Sequence, residues 1–452
     1  MEKLRLLCFL TLTFSLTKSA RTDDNWTEDD FYSSQFRLPK NLQSASPRCQ
    51  IELNAWCKNE AHYHCSKPNY ARAAYKNDSV WGCTTDRDNA FCPSHGPLAQ
   101  LLNSCENNLT IVDVFVSGDA GINTYRIPAI IQTSNGDLLA FAEGRIVSSS
   151  DCMRKVLVMK RSKDSGRSWQ DLQKLPIGLD DSHMVVGNPQ PVFDFATNTT
   201  LIAYVTNEDT ARTCDPGQDN WILTSSDEGE SWNMPPKNIS SVLGRYAGLL
   251  PGPGGATQMT MAPYAGRLVF AGHYGGYTED LVWFTDDHGS KFTASSTPLA
   301  YVDEPQIVEL TNGSLLLNMR TRHLNVTCKC RATSVSNNGG ETWSPIRFDP
   351  TLISSVCEAS IVRIGRRIYF ANPASTTSRE NLTIRVSGDD CETWTKTTLV
   401  VSPGPLSGGY SDFVPFPMRD DTTKGGILFE RPHSIQGKVR NVVSFAQFPL
   451  DF

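Results

Sequence analysis

From about residue 110 to the C-terminus, apolar residues alternate with polar ones or cluster in short β-branched runs, and helical spacing is almost absent. The clearest example is Tyr125-Arg126-Ile127-Pro128-Ala129-Ile130-Ile131, followed by the turn Ser134-Asn135-Gly136-Asp137 and a return from Leu138 to Arg145. This pattern predicts a hairpin with an arginine at its entrance. Pro128 lacks an N–H and suits a strand start or edge, and the residues after it favour a pleated, half-buried segment.

An octapeptide, Ser-x-Asp-x-Gly-x-Thr/Ser-Trp, recurs along the same region. It is clean at Ser162 to Trp169 and Ser225 to Trp232, and degraded at Thr285 to Phe292, Ser336 to Trp343 and Ser387 to Trp394. Successive final aromatics lie 63, 60, 51 and 51 residues apart. The octapeptide reads as a turn in which the Asp carboxylate accepts backbone N–H groups, the Gly permits positive φ, and the Trp packs beneath. It is therefore structural rather than catalytic. Aligned hairpins give repeats over Tyr125 to Trp169, Asn188 to Trp232, Tyr246 to Phe292, Glu304 to Trp343 and Cys357 to Trp394. A sixth begins at Tyr410, with Ile111 to Val116 closing the ring. The predicted fold is all-β, a six-bladed β-propeller over residues 111–452.

In such a meander the start of the first strand and the end of the second share one end, and the octapeptide turn lies at the other. First-strand starts contribute Arg126, Asn188, Glu304 and Tyr410, and second-strand ends contribute Arg145, Arg320 and Glu430. Asp151 and Arg379 fall in loops on that same face. Each alone reads as an ordinary surface or turn residue. Together, arginines, carboxylates and a tyrosine form a costly pocket unless it binds an anion, because buried guanidinium groups need partners.

Composition narrows the function classes. With 452 residues, 39% hydrophobic, the chain can bury a large core, and a net charge of −6 argues against a nucleic-acid partner. Residues 1–20 read as a signal peptide, with Lys3 and Arg5 before the apolar run Leu6 to Leu16, a run too short to span a bilayer. No later segment reads as a membrane span. Of 13 cysteines, Cys8 leaves with the signal, and twelve remain for an oxidising compartment. Six of these, Cys49, Cys57, Cys65, Cys83, Cys92 and Cys105, predict a small disulfide-rich module over residues 21–110 whose pairing stays open, and no metal-ligand spacing is seen. Eight Asn-x-Ser/Thr sequons, at Asn25, Asn77, Asn108, Asn198, Asn238, Asn312, Asn325 and Asn381, fit a secreted or lysosomal location.

The Tyr-Arg-Ile-Pro motif and the octapeptides, which correspond to Asp boxes, resemble the sialidase (exo-α-sialidase, neuraminidase) family over most of residues 110–452. FAEGRIVSSSD (141–151), LPGPGGATQ (250–258), CKCR (328–331), FANPASTTSRENLTIRVS (370–387) and GGYSDF (408–413) are most similar to the animal lysosomal sialidase. The resemblance implies a retaining hydrolase of terminal sialic acids that needs no metal or other cofactor. Its substrates would be sialylated glycoproteins, glycolipids or oligosaccharides, and a protective protein partner is left open.

Carried over, Arg126, Arg320 and Arg379 would grip the sugar carboxylate through planar, bidentate forks, with Arg322 and Arg385 as nearby competitors. Tyr410 would be the nucleophile and Glu304 its base, a known departure of sialidases from the two-carboxylate scheme. Asp151 would act as acid and then base, Glu430 would orient Arg126, and Arg145 and Asn188 would line the pocket. Cys152, beside Asp151, is a candidate for a disulfide restraining that loop. Two alternatives share the pattern: a trans-sialidase, and a non-catalytic sialic-acid lectin or receptor.

Overall fold

The computed structural model of the chain describes residues 36–37, 90–91, 109–178, 184–208, 217–276, 278–322, 328–395, 399–402, 407–415, 424–435 and 438–451. The chain divides into two compact units, residues 1–108 and 109–452. In the first, Phe36–Arg37 pairs in parallel with Ala90–Phe91.

The second unit begins with β1 (Ile111–Val116), whose partner lies at the far end of the unit. Next come β2 (Thr124–Gln132), β3 (Leu138–Arg145) and β4 (Lys155–Ser162), then β5 (Met184–Asp194), β6 (Thr199–Glu208), β7 (Asp219–Ser225) and β8 (Asn233–Asn238). With Gln173–Lys174 on its flank, this run forms one eight-stranded sheet, because Lys155 and Val185 pair in parallel across β4 and β5. β9 (Leu268–Tyr274) and β10 (Glu279–Thr285) centre a six-stranded sheet completed by four two-residue strands. Two four-stranded antiparallel sheets follow: β11 (Asp303–Glu309), β12 (Leu315–Arg320), β13 (Cys330–Ser336) and β14 (Arg347–Ile353), then β15 (Ser360–Ile364), β16 (Arg367–Pro373), β17 (Leu382–Ser387) and β18 (Leu399–Ser402). The last sheet joins β19 (Ser411–Pro415), β20 (Lys424–Ile435) and β21 (Lys438–Pro449) to β1.

Two expectations are corrected. The unit is mostly β, but its strands do not sort into six equivalent blades of a β-propeller. The first two predicted repeats share one sheet through the Lys155 and Val185 pairing, the third is built from short strands, and no sheet closes on itself. A disulfide-rich N-terminal module is not evident either. The six cysteines assigned to it lie outside the described residues, as do the signal segment, Asn25, Asn77, Asn108 and Asn325. The disulfides seen among the described residues belong to the second unit, where Cys328 bonds Cys330 and Cys152 is also disulfide-bonded.

The octapeptides form the predicted turn in all five copies. In the first, Asp164 Oδ1 accepts the Ser168 N–H at 2.9 Å and Ser162 Oγ accepts the Gly166 N–H at 2.7 Å. The pattern repeats at Asp227, Asp287, Asn338 and Asp389. The closing aromatics knit neighbouring runs of strands together: Trp169 packs edge-on against Phe445 of the last sheet, and Trp232 against Phe141 of β3. Each hydrophobic cluster accordingly draws on two neighbouring runs of strands, as where Val114, Tyr125, Leu138 and Val158 meet Leu428 and Phe445. Burying one such ring contributes roughly 1.5–3 kcal/mol.

Gly166 stands where this packing is tightest. Its φ is +85°, and a Cβ there would lie 2.1 Å from the Phe445 ring. Gly166→Ala is expected to destabilise the domain by about 2–4 kcal/mol, from left-handed strain plus overpacking. Urea unfolding followed by tryptophan fluorescence checks this, and an unchanged midpoint would remove the box turn from the list of stabilising contacts.

Candidate active site

Three strand starts share one backbone device. β2, β5 and β11 each carry a bulge where the register slips: between Arg126 and Ala129, between Gly187 and Gln190, and between Asp303 and Gln306. At each slip a residue before proline takes positive φ: Ile127 (57°), Asn188 (54°) and Glu304 (41°). A bulge of this kind bends the strand and re-aims its side chains. The first strands also pack on one another, β2 on β5, β9 on β11, β11 on β15, β15 on β19, and β19 on β2. The sequence thus brings distant strand starts to one place.

There, Tyr410, buried just ahead of β19, donates its hydroxyl to Glu304 Oε1 in a short hydrogen bond, and Arg320 Nη1 at the end of β12 bonds both Glu304 Oε2 and, at 3.3 Å, Tyr410 Oη. Two more guanidinium groups face the tyrosine ring: Arg126 at 4.9 Å and Arg379 at 5.4 Å from its centroid. Glu430 of β20 holds Arg126 through a two-point contact at 3.0 and 3.1 Å. The same carboxylate accepts the N–H of Ile127 at 3.0 Å and of Tyr410 at 3.2 Å, so it fixes both strand starts at once.

The electrostatics follow from this arrangement. Burial opposes ionisation of Glu304, yet the Arg320 guanidinium, with His273 and the Tyr410 hydroxyl, brings its carboxyl down to about 2. Burial, and then the Glu304 charge, push the Tyr410 phenol well above its ordinary value. Glu304 is therefore an anion and Tyr410 a neutral phenol at any physiological pH. Burial works against the charge of Arg320, but Glu304 holds its proton more firmly than usual.

A second cluster adjoins the first. Asp151, 58% exposed at its side chain, lies 2.6 Å from Arg145 Nη2 and 3.9 Å from Arg126 Nη1. Arg145 is held by Glu143 Oε2 at 2.9 Å, and Lys155 Nζ bonds Glu143 Oε1 at 2.6 Å. Glu143 Oε1 also accepts the Asn188 N–H at 2.9 Å, while Asn188 Nδ2 donates to Pro251 O at 3.1 Å. Burial resists the Glu143 charge, and Lys155 and Arg145 overcome it, lowering the carboxyl to about 2.

All nine expected residues thus fall in these two joined clusters, Asn188 through Glu143. Of the two competitors, Arg385 donates to Asn372 Oδ1 at 2.8 Å, and Arg322 lies 4.0 Å from Asp303, which Arg320 also approaches at 3.6 Å. The residues not anticipated hold the others. Glu143 could have been found from its place two residues before Arg145, on the same strand face. Glu358 is the second residue of the fifth predicted repeat, as Arg126 is of the first. Buried Lys155, Arg331, Asp303 and Asp412 had no sequence signal beyond their charge.

A cavity of about 890 Å³ lies farther along the same first strands, lined by Ile130, Val192, Ile307, Ile361 and Phe413, and it touches none of the nine. Asp412 separates the two regions: it lines this cavity, follows Tyr410 by two residues, and accepts the Ile130 N–H at 2.8 Å. Among the described residues no group of three or more His, Cys, Asp and Glu side chains could hold a metal ion, and no helix is long and apolar enough to cross a membrane.

A family profile described as a BNR repeat-like domain matches residues 136–417. A sialidase from Micromonospora viridifaciens is 29% identical over 350 residues, covering 70% of this chain and 51% of the relative. A sialidase from Bacteroides fragilis is 28% identical over 350 residues, covering 71% and 62%. The chain thus spans about half to two-thirds of the length of these curated relatives. Further relatives come from fungi and a leech. Among solved structures, a Hadza microbial sialidase superposes with a TM-score of 0.64 at 24% identity, covering 75% of this chain and 68% of that one, a likeness of fold alone.

Asp412 gives the site a pH signature. Burial pushes its carboxyl up from 3.8 to about 7, against the hydrogen bonds from Ile130, Gly255 and Phe413. A raised folded-state value means that its contribution is whole below the unfolded value near 4 and is lost as pH rises towards 7. Relative to Asp412→Asn, the wild type should lose stability between pH 4 and 7 with a slope of at most about 1.4 kcal/mol per pH unit. Parallel stability curves for the two proteins in denaturant titrations across that range would contradict a neutral buried carboxyl.

Proposed function

The chain belongs to the BNR repeat-like domain family, and on that footing we propose that it is a glycoside hydrolase, an exo-α-sialidase that removes terminal sialic acids from glycoconjugates. The observation that carries this reading is the contact of Tyr410 Oη with Glu304 inside a ring of Arg126, Arg320 and Arg379. A sugar bearing a carboxylate on its anomeric carbon fits three converging guanidinium groups, and it repels an anionic nucleophile. A neutral phenol avoids that repulsion. Tyr410 attacks the anomeric carbon as Glu304, already ionised, takes the phenolic proton. The glycosidic bond breaks as Asp151 protonates the leaving oxygen, giving a tyrosyl-linked sugar. Asp151 then draws a proton from water, which displaces the tyrosine, and the phenol recovers its proton from Glu304, so the configuration is retained.

Arg126 has a double part: it offers its outer face to the carboxylate while Glu430 fixes its other edge. Arg145, pinned between Glu143 and Asp151, and Asn188 line the wall where substituents of the sugar ring would lie. The nearer likeness to the animal lysosomal sialidase rests on the sequence stretches alone, and bacterial, fungal and leech relatives do not single it out. A secreted or lysosomal lumenal location is supported by the sequons, the leader-like residues 1–20 and the disulfides at Cys152 and Cys328–Cys330. Transfer to a second sugar uses the same catalytic set and is the second reading.

Purified protein incubated with a fluorogenic α-sialoside between pH 4 and 7 should release sialic acid. Tyr410→Phe and Asp151→Ala should lower kcat by about 10²-fold or more. Arg126→Ala should raise KM while leaving the fold intact, because a charge-assisted two-point contact of about 1.5–3 kcal/mol is lost. Binding without release by the wild type would leave a lectin, and sialyllactose formed on adding lactose would mark a transferase.

A further inference from the structure

Behind Tyr410 lies a buried set of groups that the proposed reaction does not use. Glu358 is fully buried, and its Oε2 accepts the N–H of Ser411, the residue after Tyr410, at 2.8 Å. Its Oε1 has no hydrogen-bond partner among the described residues. Ser360 Oγ meets Ser411 Oγ at 2.9 Å. Arg331, also fully buried, donates to Cys357 O at 2.8 Å and to Asn318 Oδ1 at 2.7 Å, which fixes the chain just before Glu358. The Cys357 side chain packs against Tyr410 and Ile127.

The backbone around the tyrosine is thus gripped on both sides. Glu430 takes the Tyr410 N–H from β20, and Glu358 takes the next N–H from ahead of β15. An ordinary strand N–H finds a neighbouring backbone carbonyl. Here two carboxyl groups from two other elements do that work, and each can set the height at which the phenol meets Glu304. Glu304, Glu430 and Asp412 already stand around this stretch, and burying another carboxyl without need is costly.

We propose that Glu358 is a positioning residue for the nucleophile, setting the distance from Tyr410 Oη to Glu304 through the Ser411 amide. This rests on the reading of Tyr410 as nucleophile. Glu358 is closed off from the pocket and touches no substrate, so its loss should slow attack by the tyrosine and spare sugar binding by the arginines. A displacement of about 1 Å at a reacting atom costs on the order of 10²-fold in rate.

The test uses the full-length protein with Glu358→Ala, Glu358→Asp and Glu358→Gln, alongside wild type and Asp151→Ala. The readouts are the thermal midpoint, hydrolysis of a fluorogenic α-sialoside, inhibition by the 2,3-dehydro form of sialic acid, and the rate at which 2,3-difluorosialic acid labels Tyr410 in intact-mass spectra. Fluoride departs without an acid, so Asp151→Ala should label at nearly the wild-type rate. Glu358→Ala should label about 10²-fold more slowly with an unchanged inhibition constant. Glu358→Asp, shorter by one methylene, should fall between, and Glu358→Gln, which keeps an acceptor for the Ser411 N–H, should stay within about threefold of wild type. Where the alanine variant fails to fold, the aspartate and glutamine pair decides. Folded Asp and Ala variants that label as fast as wild type overturn the proposal, as does a parallel loss of inhibitor affinity. A wild type that neither hydrolyses nor labels overturns the sialidase reading instead.

Discussion

The site depends on carboxylates that hold backbone, before any of them is asked to hold substrate. Ile127 and Asn188 sit in left-handed conformations in front of prolines, a geometry that costs a non-glycine residue about 1–2 kcal/mol. Each has its N–H bonded to a carboxylate from another strand, Glu430 for Ile127 and Glu143 for Asn188. Strain at the strand starts is thereby offset by charge-assisted hydrogen bonds, and the side chains flanking each bulge turn towards a shared point. Remove the carboxylates and the bulges have no reason to persist.

A second consequence is that the charges arrive already balanced. Glu143 faces Arg145 and Lys155, Glu304 faces Arg320, and Glu430 faces Arg126. Arg379 has no carboxylate contact among the described residues; burial works against its charge, but the neighbouring Cys357 and Tyr410 hold its proton more firmly than usual. One cation in excess beside two that are only partly neutralised makes a pocket that wants an anion. The order of the groups is a product of the fold: Arg145 and Arg320 come from the ends of second strands, Arg379 from a loop and Arg126 from a first-strand start, while Glu304 stands at another first-strand start and Glu143 and Glu430 lie within second strands.

Much of this was legible in the residues. The octapeptide repeat carries its turn in its own side chains, so spacing alone located five turns and their aromatics. The positions of Arg126, Glu304 and Tyr410 were legible as equivalent strand starts, because a hairpin fixes which ends share a face. Sheet composition was not. Whether Lys155 pairs with Val185 depends on how closely two neighbouring runs approach, and nothing in either strand states that distance. Glu358 and Asp412 were missed for a related reason: what they bond is a backbone N–H from another sheet, and backbone has no sequence signature.

The sheet that contains Tyr410 is finished by β1, from the opposite end of the unit, with Val442 against Val116 and Phe445 against Val112. A ribosome delivers residues 111–116 well before residues 438–449. Until the final strand is out, β1 has no partner, and Trp169 lacks the Phe445 ring it packs on. Local hairpins can form as they emerge, but the contact of longest sequence separation cannot, and such contacts dominate the time a chain needs to fold. Tyr410, Glu430 and the strand that pairs with β1 all follow residue 400. The arginines at 126, 145, 320 and 379 are therefore in the chain before the tyrosine they surround.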